Sequence, residues 1–218
     1  MEERKISNAL SNVLTFYYES IKLKEVERSG WVDRNISRDQ RVESVPEHVY
    51  STQQLALAIY SEFDLDIDIY KVICMIAVHE TEEIYIGDLN PFSGVLPIEK
   101  ARLGKLAVDK ATSCLRKKSF ITSLIDEFNE RETSEAQFAY LCDKMDADAM
   151  AKKYDDEGRF SFDMLPSKIL ESERTQKAIE NGAKTVGEIF IESDVPIYEG
   201  NEIFSELIQF LKKYSVVV

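Results

Sequence analysis

Only two histidines, His48 and His79, occur in the 218 residues, and acids crowd both. His79 closes the apolar run from Val72 to Val78 in VICMIAVHETEEIYIGD, where it is followed by Glu80, Glu82 and Glu83 and, after Gly87, by Asp88. An imidazole beside a carboxylate is ligand chemistry for a divalent metal. Acids at the end of a buried segment are costly unless a cation or hydrogen-bond donors meet them. A lone histidine in this place would read as a core side chain bonded to a carbonyl, but this one has acidic neighbours. Glu83 lies four residues after His79, so one continuous helix would put both on the same face. Glu80 would stand about 100° further round, and Glu82 is expected to face solvent. The chain contains no Gly-rich phosphate loop, no Cys-x-x-Cys pair and no Gly-x-Ser-x-Gly elbow. That removes the common nucleotide-binding, zinc-ribbon and serine-hydrolase readings.

Helices must position these groups. Ile6, Leu10, Val13, Leu14, Tyr17 and Ile21 recur at three- and four-residue steps, which predicts a helix from Ile6 to Val26. The segment RSGWVDRNISRDQRVES breaks the pattern as a loop. Ser44 and Glu47 form a capping-box pattern with Pro46 between them, opening a helix to about Phe63 with His48 in its first turn. If this helix packs beside the next, His48 and His79 would converge. Asp66 or Asp68 caps that next helix, which the spacing carries through His79 to Gly87. Further helices are expected over Glu99–Lys117, Phe120–Asn129, from Ser134 past Asp143, over Ser167–Ile191 and over Glu202–Tyr214. No strand pattern and no internal repeat stands out, so the fold class is all-α. Gly158 to Pro166 is the expected boundary, giving a core over residues 1–157 and a C-terminal helical extension over 158–218 packed on it.

Composition narrows the function. There are 40 acids against 27 bases, for a net charge of −13, which repels phosphate backbones and argues against nucleic-acid binding. Cys74, Cys114 and Cys142 are odd in number and far apart, each in an apolar helical context. They read as reduced core thiols. MEERKISNAL lacks the apolar core of a signal peptide, and no run of about 18 apolar residues occurs, so the expectation is a cytoplasmic protein with no membrane partner.

Several ordered stretches resemble the HD-domain metal-dependent phosphohydrolases, in particular their small 5′-deoxyribonucleotidase branch. LKEVERSGWVDRNI is similar to the N-terminal substrate loop of that branch, and ESVPEHVY to its first histidine motif. HETEEIYIGDL is similar to its second motif, and ETSEAQFAYLCDKMD to the approach to its last ligand. The resemblance runs from about Leu23 to Tyr154. It implies an HD-domain helical bundle with additional C-terminal helices, and metal ligands at His48, His79, Glu80 and Asp143. The ion implied is Co, Mn or a similar transition metal, with Mg as a further candidate. Glu83 matches the family acid that handles the proton of the attacking water or the leaving group. Arg28 matches an arginine near the substrate phosphate, and Asp88 an acid that recognises the sugar. Trp31, the sole tryptophan, would either stack on a base or pack into the core. Arg34, Arg38 and Arg41 would either guide an anion or stay solvated.

The activity implied is hydrolysis of deoxynucleoside 5′-monophosphates by a metal-activated water, and the assembly implied is a homodimer. The alternatives are a dNTP triphosphohydrolase, another HD phosphohydrolase, or a weakened HD protein with a binding role. The last arises because Glu80 stands where the family carries Asp.

Overall fold

The computed structural model describes residues 2–33 and 41–215. Arg34 and Arg38 lie outside the described residues. Among those residues no strand forms, and Glu27 pairs with Ser44 in an isolated antiparallel bridge. The expected all-α class is therefore the observed one.

The chain divides into two units. The first comprises Met1–Glu27 and Ser44–Ala139, the second Arg28–Glu43 and Tyr140–Val218. These divisions fall at other places than the Gly158–Pro166 segment.

In the first unit, α1 (Glu2–Ser20) tightens into a 3₁₀ turn over Ile21–Glu25. It is followed by α3 (Val45–Glu62), α4 (Ile69–Val78), α5 (Glu83–Ile86), α6 (Pro97–Thr112) and α7 (Ser119–Glu130). The expected capping box opens α3: the Glu47 carboxylate accepts from the Ser44 backbone N–H at 2.8 Å, and Pro46 sits in the first turn, where no donor is lost. Asp68, rather than Asp66, caps α4 by accepting from the N–H groups of Tyr70 and Lys71. α4 packs on α3 and α7, and Val72, Met75 and Ile76 of α4 are buried, as are Val45 and Ala56 of α3 and Leu124 of α7. Burial of each large aliphatic there stabilises the unit by roughly 1.5–3 kcal/mol.

The second unit holds α2 (Ser29–Val32), α9 (Ser167–Leu170), α10 (Glu173–Glu180), α11 (Val186–Asp194) and α12 (Glu202–Leu211). α8 (Ser134–Asp156) begins in the first unit and continues into the second. The helix expected from Ser167 to Ile191 is three pieces. Ser172 caps α10, Gly182 takes a left-handed φ of 104°, and a second capping box of Thr185 and Glu188 restarts the chain as α11.

Two further expectations are corrected. α4 does not run to Gly87: it ends at Val78. The ring Nδ1 of His79 lies 2.8 Å from the Ile76 carbonyl, and Val78 O accepts both the N–H and the hydroxyl of Thr81. Carbonyls that would have continued the α ladder are thereby taken. The cysteines are free, but only Cys142 is core: Cys74 is exposed, and Cys114 is half-buried in the turn after α6.

Candidate metal centre

The α3 capping box fixes the start of the helix that carries His48, and this side chain is fully buried, at 0% exposure. Gln53 on α3 donates to the Ile73 carbonyl of α4 at 3.1 Å, so the two histidine-bearing segments are pinned side by side. His79 follows the last residue of α4 and packs its ring against Phe128 of α7, with centroids 4.8 Å apart. The two imidazoles stand 5.8 Å apart, centre to centre.

Glu80 joins them. Its Oε1 lies 3.3 Å from Nε2 of His79 and 3.8 Å from Nε2 of His48. One ligand atom from each of the three lies within 4.8 Å of the others. The Ile76 carbonyl selects the tautomer of His79: Nδ1 carries the proton, and the Nε2 lone pair is left on the Glu80 side. A backbone carbonyl holding the remote ring nitrogen is the usual support of a metal-binding histidine. His48 is arranged likewise, with Nδ1 near the Thr52 hydroxyl at 3.5 Å and Nε2 toward Glu80. Two Nε2 atoms and one carboxylate oxygen converging from a buried wall fit a divalent transition ion.

The other expected site residues fall into place less uniformly. Glu83 is 2% exposed and opens α5, its N–H bonded to Glu80 O at 3.0 Å. It therefore does not share a continuous helix with His79, and a tight turn relates the two. Gly87 ends α5 at φ 70°, a left-handed conformation that glycine adopts freely, and the partly buried Asp88 follows.

In the second unit, Arg28 caps α2 and donates its N–H to Glu43 O at 3.0 Å. Trp31 is packed rather than presented. It is 2% exposed and lies among Tyr154, Phe160 and Phe190, and its indole N–H donates to Glu43 Oε1 at 2.6 Å. This is the core alternative for Trp31, and the same Glu43 that takes its indole N–H also accepts from the Arg28 backbone. Asp143 is buried on α8, and its Oδ2 pairs with Lys144 Nζ at 2.8 Å. That carboxylate holds the Lys144 ammonium above its ordinary pKa.

Sequence reasoning missed Glu43, Thr52 and Lys144, whose roles depend on distant partners. It also misplaced Glu82, which is half-buried against Gly104 of α6 instead of solvent-facing. Burial raises the Glu82 carboxyl, with Lys100 opposing.

An all-helical protein with a buried histidine–carboxylate centre is the class these features define. The chain belongs to the HD domain family, whose model matches residues 21–186, and it is an HD-domain metal-dependent phosphohydrolase. Among its relatives is the 5′-deoxynucleotidase HDDC2 of Danio rerio, 33% identical over 153 residues, which cover 67% of this chain and 72% of the relative. The Dictyostelium discoideum protein of the same name is 29% identical over 153 residues, with 67% and 79% covered. Solved structures share the fold. A conserved hypothetical protein of Pyrococcus furiosus has a TM-score of 0.66 at 22% identity, covering 92% of this chain and 99% of its own. A predicted metal-dependent phosphohydrolase of Magnetospirillum magnetotacticum has a TM-score of 0.65 at 18% identity, covering 94% of each chain.

Proposed function

We propose that the protein hydrolyses deoxynucleoside 5′-monophosphates to the deoxynucleoside and phosphate. The observation that carries this reading is the convergence of His48, His79 and Glu80 on one small volume. The names of relatives near 30% identity supply the substrate class. The carboxylate that would complete a four-donor set is Asp143. When bound there, Mn²⁺, Co²⁺ or Mg²⁺ would supply a Lewis acid for the phosphoryl group and lower the pKa of water. The protein's own groups do the rest. Glu83, buried one turn beyond His79, handles a proton of the water or of the leaving oxygen. Arg28 binds phosphate through its planar fork of donors, its backbone bonded to Glu43 at the start of α2. Asp88, released from the helix by Gly87, accepts from a sugar hydroxyl.

The test is phosphate release from a panel of nucleotides with each ion in turn. Wild type should turn over deoxynucleoside monophosphates, and His79→Ala and Asp143→Ala should each lose at least about 100-fold in kcat/KM, or ~2.7 kcal/mol. Silence with every metal sinks the activity. Release of triphosphate from dNTPs replaces it with a triphosphohydrolase. Full activity in Asp143→Ala removes Asp143 from the site.

We also propose a homodimer in the cytoplasm. Ile6, Leu10, Val13, Leu14 and Tyr17 form an exposed apolar row on α1 that a second copy would cover. No described helix is long and apolar enough to cross a membrane.

A further inference from the structure

Gly104 lies buried in the middle of α6, where glycine is a poor helix former and alanine would be better. A buried glycine inside a helix needs a reason, and the structure supplies one. A Cβ built at Gly104 would stand 2.1 Å from Glu82 Oε2 and 2.8 Å from its Cδ. The side chain of Glu82 occupies the space that any other residue at 104 would fill. Glu82 also bears on the backbone next to the metal centre. Its carbonyl accepts from Tyr85 and Ile86 N–H, while Glu83 N–H returns to Glu80 O and Thr81 N–H to Val78 O. The turn from His79 to Glu83 is thus tied at both ends, and Glu82 seats its carboxylate against α6, beside the packing of α5 on the same helix. Glu80, two residues earlier in the same turn, reaches the two imidazoles.

We propose that the Glu82 carboxylate seated in the Gly104 notch is a positioning device for Glu80, one that sets where its oxygen stands relative to His48 and His79. The inference rests on the metal-centre reading above and adds two residues that touch neither metal nor substrate. Glu82 seats the turn against α6, and Gly104 makes room for it. The notch also accounts for how a glutamate, with one more rotatable bond than aspartate, is held to a defined reach: the backbone that carries it is fixed from the opposite side.

The test exploits opposite expectations. Gly104→Ala alone, by helix propensity and lower unfolded-state entropy, should raise Tm by a few degrees and leave the metal untouched. The notch predicts otherwise. Gly104→Ala displaces the Glu82 carboxylate, forfeits that rise in Tm and weakens Mn²⁺ binding, read by calorimetry without nucleotide, by roughly 10-fold. Removing the crowding carboxylate in Glu82→Ala/Gly104→Ala should recover the rise in Tm, while Mn²⁺ affinity stays at the level of Glu82→Ala, because the seat is gone. A Gly104→Ala protein that is more stable and binds Mn²⁺ like wild type overturns the proposal. So does a Glu82→Ala protein with wild-type Mn²⁺ affinity. Wild type that binds Mn²⁺ but releases no phosphate from any nucleotide overturns the proposed activity and leaves the notch standing. Wild type that binds no divalent ion overturns both.

Discussion

Glu80 is the residue on which the centre turns. Its Oε1 stands within 4 Å of both Nε2 atoms, at 3.3 Å and 3.8 Å. A shorter carboxylate on the same backbone would withdraw from both rings, because the turn after Val78 is fixed by the Thr81 and Glu83 hydrogen bonds. Glu80→Asp is therefore expected to weaken Mn²⁺ binding by roughly 10-fold, or ~1.4 kcal/mol, measured by titration calorimetry. Tighter binding in Glu80→Asp would mean instead that the longer acid is a weakened ligand. The chemistry at this scale was legible in the sequence, since two imidazoles and a run of acids can be counted. What was not legible was the arrangement of Glu82 and Glu83. The sequence reading assumed an unbroken helix, and side-chain capture of the Ile76 and Val78 carbonyls interrupts it. A period of 3.6 cannot register such competition for backbone acceptors.

Elements were legible where their ends carry their own chemistry. The Ser44 capping box, the Asp68 cap and Gly87 all appear where the residue types put them, because each acts within a few residues of itself. The run from Ser167 to Ile191, expected as one helix, is divided by the Ser172 cap, by the left-handed φ at Gly182 and by the Thr185–Glu188 capping box. Contacts between elements were not legible at all, and the join of α8 to the 3₁₀ turn Val195–Tyr198 is one of them. There the Tyr198 hydroxyl donates to Asp148 Oδ2 at 2.5 Å, both residues being fully buried. Asp148 Oδ1 has no hydrogen-bond partner among the described residues. Burial pushes the Asp148 carboxyl well above the usual carboxylate range, against the pull of Tyr198, Arg174 and Lys144. The native state therefore keeps a proton that the unfolded chain releases above about pH 4. Stability from that proton is complete below the unfolded value and is lost as pH rises toward the folded one. Thermal melts from pH 4 to pH 8 should show wild type falling relative to Asp148→Asn, which has no proton to lose. Parallel curves would show that Asp148 is ionised in its buried place.

The whole molecule was the least legible scale. Gly158 to Pro166 is the boundary expected between a core and an extension, yet the family match runs through it to residue 186, and the segment Arg28–Glu43 groups with Tyr140–Val218. Trp31 explains that last association. Its indole needs a large apolar seat, and Ala147, Ala151, Tyr154, Phe160 and Phe190 provide one far away in sequence. Global charge, by contrast, bears directly on behaviour. With 13 more acids than bases, and with Glu80 facing both imidazoles of the proposed metal centre, the chain should be more stable with metal than without it. An ion that binds the folded state alone adds RT ln(1 + [L]/Kd), which is about 2.7 kcal/mol at a free concentration 100-fold above Kd. For a chain of this length that corresponds to a rise in Tm of roughly 5–10 °C. Thermal melts in EDTA and across a Mn²⁺ series should show the rise, and it should continue with the logarithm of free metal as mass action requires. His79→Ala should melt at nearly one temperature throughout the series. A wild-type Tm indifferent to Mn²⁺, Co²⁺ and Mg²⁺ would mean that the histidine–carboxylate cluster holds no ion, and that its buried acids are satisfied by protein donors alone.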